Sequence, residues 1–197
     1  MRLFIVRHGE TEHNARGIIQ GHGLTRLSDR GRKQAALVAE RLASAKPDAI
    51  FTSDLPRARE TADEIARKHP GVPLIEDKRL REHDFGELEG QPSEGILADM
   101  PNWHPDYKPG GGESTAEVRK RARQFYQELL AKGMGTVIVV THGILVRALV
   151  GAATGKEARF KTKNTGVTEI RIGKSAEVVC VNCDKHLAGH PGKPMSL

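Results

Sequence analysis

Leu3-Phe4-Ile5-Val6-Arg7-His8-Gly9 and Val137-Ile138-Val139-Val140-Thr141-His142-Gly143 share one pattern: an apolar run, one polar residue, then His-Gly. Branched apolar runs without alternation suit central strands of a parallel sheet covered on both faces. Ligands of such sheets collect beyond the carboxyl ends of the strands, so two histidines are expected to meet at one sheet edge. A third run, Ala49-Ile50-Phe51, leads into Thr52-Ser53-Asp54-Leu55-Pro56-Arg57 and delivers an arginine to the same edge.

Outward from these runs, strands and helices alternate. Gly9 to Leu27 reads as a polar, glycine-rich loop closed by Ser28, which caps a helix carrying Ala35, Val38, Ala39 and Leu42 and stopping before Pro47. Ser53 reads as the cap of a second helix, through Ile65 and Ala66, followed by a short strand over Val72 to Ile75. Ser114-Thr115-Ala116-Glu117 has the spacing of a capping box and opens a helix to about Ala131. Strand 136–140, helix 144–153 and two strands near 167–172 and 177–182 complete the chain. The alternation predicts a three-layer α/β/α arrangement around a mostly parallel sheet. Residues 91–112, rich in Pro and Gly and holding the one Trp, read as a mobile cover inserted into a single domain over 1–197.

At 197 residues the chain can bury a core without disulfides or structural metal. Its 31 Lys plus Arg against 25 Asp plus Glu give a formal charge of +6, which suits an anionic substrate. Nucleic acid is disfavoured, because the basic residues are interspersed with acids and five Phe, two Tyr and one Trp form no stacking stripe. No apolar run is long enough for a signal-peptide core or a membrane span, so the cytoplasm is the expected compartment and no membrane partner is expected. Cys180 and Cys183 form a lone C-x-x-C inside a strand-like run and read as two reduced strand residues.

The residue types at the sheet edge suit phosphoryl transfer. A neutral imidazole attacks phosphorus when its other nitrogen is fixed by a hydrogen bond, and His8 is the candidate. Arg7 and Arg57 are permanently charged forks suited to the equatorial phosphoryl oxygens, and they favour a neutral His8. His142 adds a donor. The leaving alkoxide needs a proton, and Leu80-Arg81-Glu82-His83-Asp84-Phe85-Gly86-Glu87-Leu88-Glu89-Gly90 offers several carboxyl groups.

Together with Val6-Arg7-His8-Gly9-Glu10-Thr11-Glu12-His13-Asn14, Thr52 to Ala62, Gly112-Glu113-Ser114 and Val140-Thr141-His142-Gly143, this segment resembles the histidine phosphatase superfamily in its phosphoglycerate mutase-like branch. The blocks fall in the family's order over almost the whole chain, to Val181-Asn182-Cys183-Asp184-Lys185-His186-Leu187. The resemblance implies a phosphoglycerate mutase-like fold and a metal-independent reaction without cofactor. His8 would become phosphohistidine, with Arg7, Arg57 and His142 forming the phosphate pocket and Glu82 donating the proton and later helping to activate water. By the same resemblance Asn14 and Gln20 line the pocket. Ser114 fits both the family's "G-E-S" and a plain helix cap. His13, His22, His69, His83, His104, His186 and His190 read as structural. Neither His8 nor His142 falls in a His-x-x-x-His metal-ligand spacing.

The family holds hydrolases and mutases. A mutase must retain a bisphosphate while it reorients, which calls for basic groups in the cover. Residues 91–112 hold only Lys108 as a basic Lys or Arg, and Gly90-Gln91-Pro92-Ser93 departs from the "G-L-N-K" of cofactor-dependent phosphoglycerate mutases. Hydrolysis of a small phosphorylated metabolite is therefore expected, with a mutase-type phosphotransferase as the alternative. Trp103, His104 and Tyr107 read either as an aromatic rim or as packing anchors, the latter preferred. A homodimer stays open.

Overall fold

In a computed structural model, which describes residues 1–100 and 104–188, the six strands form one sheet in the order β3-β2-β4-β1-β5-β6. They are β1 (Arg2–Arg7), β2 (Ala49–Thr52), β3 (Leu74–Glu76), β4 (Thr136–Thr141), β5 (Val167–Ile172) and β6 (Ala176–Cys183). β1 pairs parallel to β4, which pairs parallel to β2, and β2 to β3; β5 and β6 add antiparallel partners at the β1 side.

Side chains of the central strands alternate between two cores. Leu3, Ile5, Phe51, Val137 and Val139 pack with Val118, Ala122, Phe125 and Leu129 of α5 (Thr115–Ala131) and with Leu145 and Leu149 of α6 (Gly143–Thr154). Phe4, Val6, Ile50, Ile138 and Val140 face the other way, onto α2 (Asp29–Leu42) and α3 (Pro56–Arg67). Both faces of β1 and β4 are thus buried, which is why their sequences are apolar throughout. The result is the expected three-layer α/β/α arrangement.

Local differences from the sequence reading have local causes. The Gly9–Leu27 stretch holds a one-turn helix, α1 (Glu12–Ala15), whose cap Thr11 exchanges hydrogen bonds with Asn14 in a capping box. Ser53 does not cap α3: Leu55 stands at the cap without a side-chain bond, Pro56 opens the helix, and Ser53 Oγ accepts from Leu55 N at 3.2 Å. Pro73 has no N–H to donate, and β3 starts just after it at Leu74, two residues beyond the expected Val72.

Within 91–112 the described residues hold some regular structure. The segment contains α4 (Ile96–Asp99) and is stitched to the first loop by an antiparallel bridge between Ile18 and Pro92. Gly110 and Gly112 are there for close approach: a Cβ on them would stand 2.3 Å from Phe85 O and 2.2 Å from Asp84 O. His104 and Tyr107 are exposed, while Trp103 and His190 lie outside the described residues. Cys180 and Cys183 carry free thiols. Among the described residues no helix is long and apolar enough to cross a membrane.

Candidate active site

β1 and β4 run side by side with Arg7 opposite Thr141, so the residues that follow emerge together. His8 leaves β1 with its N–H on Thr141 O at 2.8 Å, and His142 becomes the N-cap of α6. The two imidazoles lie 5.1 Å apart between ring centroids, tilted by 59°.

His8 is buried, and its Nδ1–H donates to Gly9 O at 2.7 Å, which leaves Nε2 as the nitrogen with the lone pair. Burial first, then Arg57 and Arg7, hold the His8 pKa well below its usual 6.5. His142 is depressed in the same direction, by burial, Arg57 and His8 in that order. Both rings are neutral near pH 7. Among the described residues neither buried nitrogen of His142 meets a hydrogen-bond partner.

The two arginines are held differently. Arg7 Nη1 donates to Thr162 O at 2.7 Å and its buried Nε has no partner among the described residues. Arg57, only 1% exposed, grips the loop before α2: Nη2 meets Gly21 O at 2.7 Å, and Nη1 meets Gly23 O at 2.8 Å and Thr25 Oγ1 at 3.2 Å. Its Nε too is unpartnered, and burial brings its pKa down to about 10, still cationic at neutral pH. Arg57 therefore fixes a loop as well as facing the histidines.

Glu82 sits beside the start of α6. Its Oε1 accepts from Ile144 N at 3.2 Å and from His83 N at 3.0 Å, the first a favourable contact of a carboxylate with a helix N-terminus. A Cβ at Gly143 would stand 2.8 Å from Thr162 Oγ1, close enough to displace that side chain, and in ordinary contact with Glu82 Oε2 and Arg7 Nε at 3.6 and 3.7 Å. The other carboxylates of the segment point elsewhere: Glu89 Oε1 accepts from His22 N and Phe85 N, and Asp84 Oδ1 from Gly86 N.

Asn14 is near His8 through Asn164, whose Nδ2 donates to His8 O at 3.0 Å and Asn14 Oδ1 at 3.2 Å. Gln20 is further back, its Oε1 accepting from Thr11 Oγ1 at 2.9 Å and Thr25 Oγ1 at 2.6 Å. Ser114 is a cap: its Oγ accepts from Glu117 N and the Glu117 carboxylate accepts from Ser114 N.

Sequence reasoning missed the residue that holds Glu82 in place. Arg121 of α5 donates to Arg79 O, Arg81 O and Glu82 O at 2.7, 2.6 and 2.8 Å, and forks onto both oxygens of Glu113. His22 Nε2 donates to the same Glu82 carbonyl at 2.9 Å. Nothing near Arg121 in sequence marks it, because its partners lie in chain segments 8 to 42 residues away. Asn164 and Thr162 were missed for the same reason.

A buried neutral histidine with a fixed tautomer, beside two guanidinium groups and a carboxyl, can take and release a phosphoryl group. The match to known proteins runs the same way. Residues 3–184 match the family model of the histidine phosphatase superfamily, branch 1, and the chain belongs to that family. It is 38% identical over 168 residues to the glucosyl-3-phosphoglycerate phosphatase of Mycolicibacterium vanbaalenii, covering 78% of this chain and 74% of that one. It is 35% identical over 180 residues to the metal-independent phosphoserine phosphatase of Arabidopsis thaliana, covering 86% and 76%. The crystal structure of Entamoeba histolytica phosphoserine phosphatase with 3-phosphoglyceric acid superposes with a TM-score of 0.83 at 27% identity, over 94% of this chain and 98% of that one. Among the described residues no three His, Cys, Asp or Glu side chains converge as a metal site needs.

Proposed function

We propose that the chain is a metal-independent phosphatase that hydrolyses small phosphomonoesters through a phosphohistidine on His8, with Glu82 as proton donor. The observation that carries this reading is the His8 imidazole: buried, kept neutral, tautomer fixed by Gly9 O, and faced by Arg7, Arg57 and His142.

In the first step His8 Nε2 attacks phosphorus and the bond to the leaving oxygen breaks, with the Glu82 carboxyl protonating that oxygen. Arg7 and Arg57 offer N–H groups to the equatorial oxygens, and His142 a further donor. In the second step Glu82 takes a proton from water, whose oxygen attacks the phosphohistidine; the P–N bond breaks and neutral His8 returns with inorganic phosphate. Asn14 contributes to the pocket through Asn164, whereas the bonds of Gln20 support a role in shaping the loop.

Against the mutase alternative, the one Lys or Arg of the cover, Lys108, is engaged with Glu117 at 2.7 Å. The reading extends to one functional unit over 1–197, with 91–112 as its cover, and to a cytoplasmic location, supported by the two unpaired thiols.

Phosphate release from phosphoserine, 3-phosphoglycerate, sugar phosphates and phenyl phosphate in excess EDTA, with His8→Ala alongside, tests it. Release by the wild type alone is expected. Loss of activity in EDTA, or isomerisation of 3-phosphoglycerate faster than its hydrolysis, would overturn it.

A further inference from the structure

Next to the catalytic edge lies a cavity of about 620 Å3, within the roughly 300–1,000 Å3 of pockets that enclose drug-sized ligands. Its floor is one face of α6. Ile144, Arg147, Ala148, Gly151, Ala152 and Gly155 follow at helical spacing, over a rise of roughly 16 Å. Both ends of its wall begin at the site: Ile144 N meets Glu82, and Lys161 precedes Thr162, whose carbonyl takes Arg7 Nη1. Leu97 of α4 and Phe160 close it from the cover and from the segment after α6.

Two properties define what would fit. Along α6 the floor carries the small residues Ala148, Gly151 and Ala152, so a long, slender body is accommodated where a compact one leaves space unfilled. Six Lys or Arg side chains line the cavity against one acid, Glu157. Glu157 is already engaged by Arg119 and Arg159, at 3.2 and 2.9 Å. Arg147 is half-buried, has no ion pair among the described residues, and makes a single long hydrogen bond, 3.5 Å, to Phe160 O. It also repels Arg7. A partly desolvated cation beside another cation is relieved by an anion.

Building on the phosphatase reading, we propose that this cavity takes the leaving group of the substrate. The leaving group it fits has an elongated apolar body and a second anionic group, met by Arg147. Phosphoserine and phosphoglycerates would react while leaving most of the cavity unfilled.

The test compares kcat/KM for phosphoserine, octyl phosphate and octyl phosphate carrying a terminal carboxylate, in wild type, Arg147→Met, Ala152→Phe and His8→Ala. The carboxylated ester is expected to exceed both others by about tenfold or more. Arg147→Met is expected to erase its advantage over plain octyl phosphate through KM, and Ala152→Phe to lower both long esters relative to phosphoserine. If phosphoserine ranks first, or both variants keep the wild-type ratios, while His8→Ala abolishes release, the cavity proposal falls and the phosphatase reading stands. No release from any of the three esters by the wild type overturns both.

Discussion

At the residue scale the structure keeps His8 uncharged while surrounding it with positive charge. Burial and the two arginines act in the same direction on its proton, and the Gly9 carbonyl decides which nitrogen holds it. His8, His142 and Arg7 were legible in sequence because each sits within one residue of a strand end, where geometry follows directly from the apolar run. Glu82 was legible only through the family resemblance, since Asp84, Glu87 and Glu89 stand beside it in sequence and hydrogen bonding to Ile144 N singles it out in space. Arg57 was half legible: its place at the edge is as expected, but its grip on Gly21 O and Gly23 O is not encoded locally. If Glu82 protonates the leaving oxygen, Glu82→Gln should lower kcat/KM, which reports departure of the leaving group and not the later attack of water, by about 100-fold or more for alkyl phosphates. The loss should be much smaller for 4-nitrophenyl phosphate, whose phenolate leaves without a proton. An equal loss on both would assign Glu82 to binding or folding.

At the scale of elements, α5 does two jobs that the sequence separates poorly. Its cap, Ser114, is visible as a capping box and also falls in a family motif. The geometry gives the hydroxyl to Glu117 N, so Ser114→Ala should cost about 1 kcal/mol in urea unfolding and leave kcat per folded molecule near wild type. A large loss of kcat at unchanged stability would instead put the hydroxyl at the phosphate. The second job is the clamp of Arg121 on the carbonyls of 79, 81 and 82. Arg121→Met frees the segment that carries Glu82 and strands the half-buried Glu113 carboxylate. The expected result is a stability loss of about 3 kcal/mol, with kcat/KM for alkyl phosphates falling more than for 4-nitrophenyl phosphate. Equal losses of kcat/KM on the two substrates would mean that the clamp does not act through Glu82. Turn-level features were the least legible elements: α1 is a single turn capped by Thr11 and Asn14, and the glycines of the cover serve close backbone approach where composition suggested mobility.

Across the whole molecule, the central strands and the site at their ends were readable from hydrophobic runs, because β1 and β4 are buried on both faces and cannot alternate, and the covering helices from apolar spacing and caps. The cavity along α6 was not, as its walls come from segments that meet only after folding. Collecting buried histidines has a cost in acid. His8, His142 and His69 are depressed by burial, and His186 is brought down to about 4 by burial and Arg41. The unfolded chain therefore binds protons first as pH falls below the ordinary histidine value of 6.5. Stability should be greatest above that value and decline below it, by up to about 1.4 kcal/mol per pH unit for each fully depressed histidine. Urea midpoints between about pH 7.5 and about pH 5 should show this decline, and a His8→Asn/His142→Asn double variant should show a shallower one. Equal slopes would mean that these two rings do not resist protonation in the folded state. The most direct measurement is a rapid alkaline quench of the enzyme during turnover of 4-nitrophenyl phosphate, followed by mass spectrometry of the chain. One phosphoryl group on His8, stable in alkali, lost in acid and absent in His8→Ala, is the predicted result. Full turnover by His8→Ala, or a phosphoryl group trapped on any other residue, would contradict it.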